Sequence, residues 1–166
     1  MNFLEAINHI TPFLRRIGLQ FVKSEDLGMH KYAKFYKDAY GIDFYYDRSG
    51  IELVATLNGQ IIRDIIGIAN WLNNGSIKYD YPSLSETNLE EQINYLSDVL
   101  KEEFELINHF LMNASNDDLT KYKMNQKFVG AQYWKKVFEE KSKPLPDRLL
   151  KIIKNSANQP NRSYTF

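Results

Sequence analysis

The sequence predicts an α+β fold: an antiparallel β-meander of three to four strands packed by amphipathic helices, with a helical C-terminal half. Three observations carry that prediction. Apolar residues recur at spacings of three and four towards both ends of the chain, the mark of helices with one dry face. Between them, residues 29–58 are crowded with Tyr and Phe, which favour strands. Turn-forming residues cut that aromatic stretch into short pieces, and short turns join antiparallel neighbours.

The first helix carries an apolar stripe of Phe3, Leu4, Ile7, Ile10, Phe13, Leu14 and Ile17. Pro12 inside it predicts a kink or break, and Gly18 suits its end. Residues 19–28 read as a connection in which Leu19, Phe21 and Val22 form a short extended piece. Tyr32, Phe35, Tyr36, Tyr40, Phe44, Tyr45 and Tyr46 belong to strands, with a turn near Ala39-Tyr40-Gly41. Asp47-Arg48-Ser49-Gly50 separates them from a strand over 51–57, which Asn58-Gly59 closes. The run Ile61, Ile62, Ile65, Ile66, Ile68, Ala69, Trp71 and Leu72 predicts a second helix, apolar on most of its surface and ended by Asn73-Asn74-Gly75.

Ile77, Tyr79 and Tyr81 alternate with Lys78 and Asp80, which predicts an extended segment before Pro82. Thr87 and Glu90 have the spacing of a capping box, so the longest helix is expected to start there and run to about Met112. Its apolar stripe is Leu89, Ile93, Leu96, Leu100, Phe104, Ile107 and Leu111. Asn116-Asp117-Asp118 ends that helix or caps the next element. Residues 126–141 and 146–155 read as two more helices, punctuated by Pro144 and Pro146. The expectation is one globular domain over 1–155 and a polar tail over 156–166.

Composition removes several function classes. The chain has 166 residues with 21 basic and 21 acidic side chains, and this zero balance argues against a general nucleic-acid binder. With no Cys there is no disulfide scaffold, thiolate zinc site or Cys nucleophile. No apolar run reaches the ~18 residues of a membrane span. The start, Met1-Asn2-Phe3-Leu4-Glu5, lacks the basic and apolar regions of a signal peptide, so a cytoplasmic location is expected. Frequent Asn, Ile and Lys point to AT-rich, bacterial coding. The neutral total hides segregation. Residues 85–120 carry one basic and nine acidic residues, a net of −8, whereas residues 121–166 carry eleven basic and three acidic, a net of +8.

Chemical motifs are sparse. His9, His30 and His109 have no second His at metal-ligand spacing, and no phosphate-cradling Gly-rich loop or Gly-x-Ser-x-Gly elbow occurs. No catalytic residue, metal ligand or cofactor is therefore assigned. Glu105 and His109 lie four apart on one helix face, as a surface pair would. Lys31-Tyr32-Ala33-Lys34-Phe35-Tyr36-Lys37 interleaves cations with rings, a pattern that packing, protein contact or base stacking can each produce. Glu91, Asp98, Glu102 and Glu105 fall on one face of the long helix. With Tyr45 and Tyr46 of the sheet they form the expected partner-binding set.

A short amphipathic helix, an aromatic meander, an apolar helix and a long acidic helix, over residues 1–113, resemble the small immunity proteins of bacterial toxin–immunity systems, including the contact-dependent inhibition type. The resemblance implies a non-enzymatic protein that binds and neutralises one cognate toxin domain. Such toxins are often nucleases, whose basic clefts an acidic helix would suit. The +8 C-terminal segment departs from a simple acidic inhibitor. The competing expectation is a small α+β enzyme or ligand-binding protein with a site at the sheet.

Overall fold

The computed structural model describes residues 3–47, 50–73, 77–81 and 88–157. Arg48-Ser49, Asn74-Gly75, Pro82, Thr87 and the tail from residue 158 lie outside the described residues. The elements are α1 (Phe3–Arg16), β1 (Gln20–Asp26), β2 (Lys31–Lys37), β3 (Tyr40–Asp47), β4 (Gly50–Leu57), β5 (Gln60–Asp64), α2 (Ile65–Leu72), α3 (Leu89–Asn113), α4 (Asn116–Glu140) and α5 (Asp147–Ala157). They form two compact units. One comprises residues 1–70 and 77–113, the other residues 71–76 and 114–166. Among the described residues, no helix is long and apolar enough to cross a membrane.

The α+β class and the antiparallel meander hold in the first unit. The strands run β1-β2-β3-β4-β5 in one sheet, each paired antiparallel to the next. There are five strands rather than three to four. The extra two lie at the edges, where pairing on one side tolerates polar sequence. β1, expected as a connection, is mostly exposed along its length. β5 takes Ile61 and Ile62 from the expected second helix. Asn58 and Gly59 both adopt positive φ, 50° and 75°, and build the two-residue hairpin turn into β5. The Asp64 carboxylate then accepts the Gly67 N–H at 2.7 Å, which caps α2 and sets its start at Ile65.

The inner face of the sheet is dry. Ala33, Phe35, Ile42, Phe44, Leu53 and Ala55 are each at most 1% exposed. Helices α1 and α3 pack in this unit, Phe13 meeting Phe104 edge-on at 6.0 Å. The Gln92 side-chain oxygen accepts the Ile51 N–H at 3.2 Å, tying α3 to β4.

Helix α1 continues through Pro12, because Pro12 and Asn8 both lie on its exposed side, where the carbonyl that proline leaves unbonded faces water. It stops at Gly18 as expected. The Leu19 N–H reaches Leu14 O at 2.9 Å and the Gly18 N–H reaches Arg15 O at 3.0 Å, a Schellman motif made possible by the positive φ of Gly18. The reciprocal bonds that start α3 sit one residue later than expected: Asn88 N–H to Glu91 and Glu91 N–H to the Asn88 side chain, each 3.0 Å.

The second unit is built on α4 and α5. Its α4 begins ten residues before the expected 126, because Ser115 and Asp118 form a capping box. Trp71 packs on Tyr122 with ring centres 5.1 Å apart. At the other end Ser142 takes a left-handed φ of 51°, and the Lys143 N–H bonds Phe138 O at 2.9 Å.

Candidate interaction surface

Strand alternation decides which side chains share the outer face of the sheet. Tyr32, Lys34 and Tyr36 stand there on β2, opposite Tyr45, Asp43 and Gly41 of β3. Glu52, Val54 and Thr56 continue the face on β4. The three tyrosines are half-buried, while Asp43 beneath them is fully buried.

Asp43 organises the cluster. Its Oδ2 accepts the Tyr45 hydroxyl at 3.2 Å and the Tyr36 hydroxyl at 3.4 Å, and Lys34 Nζ lies 3.5 Å away. All three contacts are long for their type. Its Oδ1 is buried and has no hydrogen-bond partner. Burial pushes the Asp43 carboxyl above its usual value, against the opposing pull of Lys34 and the hydroxyls. Burial is the largest influence on Lys34 and would lower it, but Asp43, Tyr45 and Tyr36 together outweigh it and hold the ammonium above its ordinary value. The Tyr45 phenol is pushed up by burial and then by Asp43.

Gly41 makes this geometry possible. A Cβ there would lie 2.5 Å from the Tyr36 ring and 2.8 Å from the Phe35 carbonyl oxygen. The absent side chain lets the Tyr36 ring lie across the strand with its hydroxyl towards Asp43. Lys34 also sits 5.4 Å from the Tyr32 ring centre and 5.9 Å from that of Tyr45, within cation–π range. Lys23 Nζ lies over the Tyr32 ring too, 5.2 Å from its centre, so the rings gather around one carboxylate and two ammonium groups.

At the end of these strands a cleft of about 290 Å³ is lined by His30, Lys31, Tyr45, Tyr46, Asp47 and Glu52, among others. Tyr45 and Tyr46 both line it, yet they belong to opposite faces of β3. Tyr45 stands on the outer face. Tyr46 leans on Phe3 of α1, with ring centres 6.1 Å apart.

The four expected acidic contacts on α3, Glu91, Asp98, Glu102 and Glu105, are all exposed and share one stripe at intervals of seven, four and three. Much of their charge is already engaged. Glu91 caps its own helix. Asp98 is 3.2 Å from Lys101, and Glu102 is 2.8 Å from Lys78, whose ammonium holds the Glu102 carboxyl below its usual value. Glu105 is the remaining exposed member. Because α3 buries its other side in the core, this stripe and Tyr45 of the outer sheet face do not form one continuous patch.

Two features here escaped the sequence. Glu103 is 3% exposed although it lies in the charged run Lys101-Glu102-Glu103, and it accepts Lys78 Nζ at 2.6 Å and the Tyr79 hydroxyl at 2.5 Å. Burial and that bond push the Tyr79 phenol up to about 12. Asn70 receives the Lys78 and Tyr79 N–H groups, each at 2.9 Å, and completes a clasp on the extended segment. The second feature is Asp43, an acid amid apolar and aromatic residues of a central strand. Its alternation with Gly41 and Tyr45 was the available signal. Comparison of the chain with protein-family models, curated proteins and solved structures finds no match.

Proposed function

We propose that this is a protein-binding inhibitor of the bacterial immunity type, acting in the cytoplasm, that neutralises a cognate toxin domain by contact rather than by catalysis. One observation carries the choice of surface: Tyr32, Tyr36 and Tyr45 stand half-exposed and pre-oriented on the outer sheet face. Tyr side chains are favoured interface anchors, and holding them in place beforehand reduces the ordering cost of binding. The α3 stripe is the weaker contact, since ion pairs with Lys78 and Lys101 offset part of its field. The toxin assignment itself rests on the architectural resemblance.

The test is a pull-down of the tagged full chain against products of neighbouring genes, with titration of the captured partner. Tyr45→Ala with Tyr32→Ala should weaken binding by about tenfold or more. Asp98→Lys with Glu102→Lys should change mainly its salt dependence. Unchanged affinity in the tyrosine variant would remove the sheet face from the interface. A partner whose toxicity persists in the complex would sink the inhibitor role.

A second reading comes from the cleft at the strand ends, where His30, Lys31, Asp47 and Glu52 surround about 290 Å³. That volume is near the lower end for small-molecule sites, roughly 300–1,000 Å³. A small polar ligand that raises the melting temperature, with the effect lost in Glu52→Gln, would favour it.

A further inference from the structure

Helix α4 is 25 residues long, yet only Tyr122 and Ala131 are buried along it. Lys123, Lys127, Gly130, Trp134 and Lys141 recur at intervals of four, three, four and seven from α4 into its C-cap, and every one is exposed. At 1.5 Å per residue that stripe is about 27 Å long. Trp134 is 50% exposed, and neighbouring Tyr133, its ring 5.5 Å away, is 63% exposed. Gly130 sits one turn before Trp134, and a Cβ added there would meet nothing within 4 Å. The stripe therefore has an open notch beside an exposed indole.

The stripe is basic. Lys121 is paired with Asp117, and Lys135 lies 3.7 Å from Glu139. Lys123, Lys127 and Lys141 have no ion-pair partner among the described residues. Over residues 121–157 there are ten basic and three acidic side chains. Three unpaired cations flanking an exposed indole fit a surface of opposite charge with an apolar side chain at its centre.

We infer that the Lys123–Lys127–Trp134–Lys141 stripe of α4 is a docking surface for an acidic segment of another protein, with an apolar side chain of that segment entering the notch at Gly130 beside Trp134. A protein segment fits better than nucleic acid, because the chain as a whole is neutral, without the excess of positive charge usual in nucleic-acid binders, and a protein segment can bring an apolar side chain to the indole. None of these residues belongs to the sheet face, so the inference stands or falls independently of the inhibitor reading.

The experiment uses the full chain and a short, Trp-free peptide repeating Leu-Glu-Glu-Asp. Trp71 and Trp134 give two indole N–H signals in an NMR spectrum, assigned through Trp134→Phe. The Trp134 signal should move saturably, and Trp71, which is buried, should not move with it. Lys127→Glu with Lys141→Glu should weaken binding by about tenfold, and added salt should weaken it further. Gly130→Leu, whose Cβ would meet nothing within 4 Å, should weaken it about threefold or more. Both lysines and the glycine are exposed, so these variants should retain the parent's circular dichroism. A stationary Trp134 signal, or an affinity unchanged in the lysine variant, would overturn the proposal. So would tighter binding of an oligothymidine of equal charge, or self-association abolished by Trp134→Ala, which would assign the stripe to nucleic acid or to a second copy. Loss of this binding leaves the effect of Tyr45 substitutions unchanged, which separates the two surfaces.

Discussion

Helices α3 and α4 have the same length, 25 residues, and opposite construction. Ten residues of α3 are buried, including the polar Gln92, Ser97 and Glu103, against two in α4. An apolar stripe and tertiary packing stabilise α3. In α4, the Ser115–Asp118 capping box, the Lys121–Asp117 pair and the Schellman end at Ser142 satisfy the helix locally. Their charges differ in the same sense. Exposed acids of α3 are partly offset by Lys78 and Lys101, whereas Lys123, Lys127 and Lys141 of α4 stay without an ion pair among the described residues. A helix held by its core has little freedom to change partners. One held by its ends can carry a surface chosen for something else.

Truncation gives the largest contrast. Leu100→Ala, at a fully buried site in α3, should cost about 2–5 kcal/mol, whereas Trp134→Ala should cost under ~1 kcal/mol in chemical unfolding. Equal costs would mean that Trp134 is part of a core and would break the comparison.

The glycines sharpen it. Gly41→Ala puts a Cβ 2.5 Å from the Tyr36 ring and 2.8 Å from a backbone oxygen, and should cost about 1–3 kcal/mol. The same change should weaken binding at the sheet face, because Tyr36 must move. Gly130→Ala meets no neighbour within 4 Å and should stabilise α4 by about 0.5–1 kcal/mol, read as a higher urea midpoint.

The smallest effect is electrostatic. Burial raises the folded carboxyl of Asp43 above its ordinary 3.8, so the folded chain holds that proton more tightly than the unfolded chain. Its contribution is therefore fully present below 3.8 and is lost as the pH rises through the folded value. The stability of the parent minus that of Asp43→Asn should fall across this window. A difference that grows with pH would show that the Lys34 ion pair outweighs burial.

Helical periodicity makes α1 and α3 legible, and aromatic density makes the central strands legible, because each such pattern buries one face and therefore repeats with the element's own period. Edge strands are harder. β1 is largely polar, and β5 contains isoleucines that suit a helix equally well. Asn58-Gly59 as a hairpin turn and Asp64 as a cap are the local signals that separate β5 from α2. The candidate site is half legible. Tyr45 and Tyr46 stand out in the sequence, but the acid between their strand's core positions does not.

The residues by themselves determined the α+β class, the meander, the Gly18 stop and the segregation of acidic from basic segments. These arise from short-range rules: periodicity, backbone freedom and charge order along the chain. Tertiary structure decided which charges remain available. Only folding brings Lys78 to Glu102 and Glu103, places Lys34 beside Asp43, and leaves Trp134 exposed among lysines of α4. Coulomb interactions and desolvation depend on distance in space and on burial, and neither is written in the order of residues.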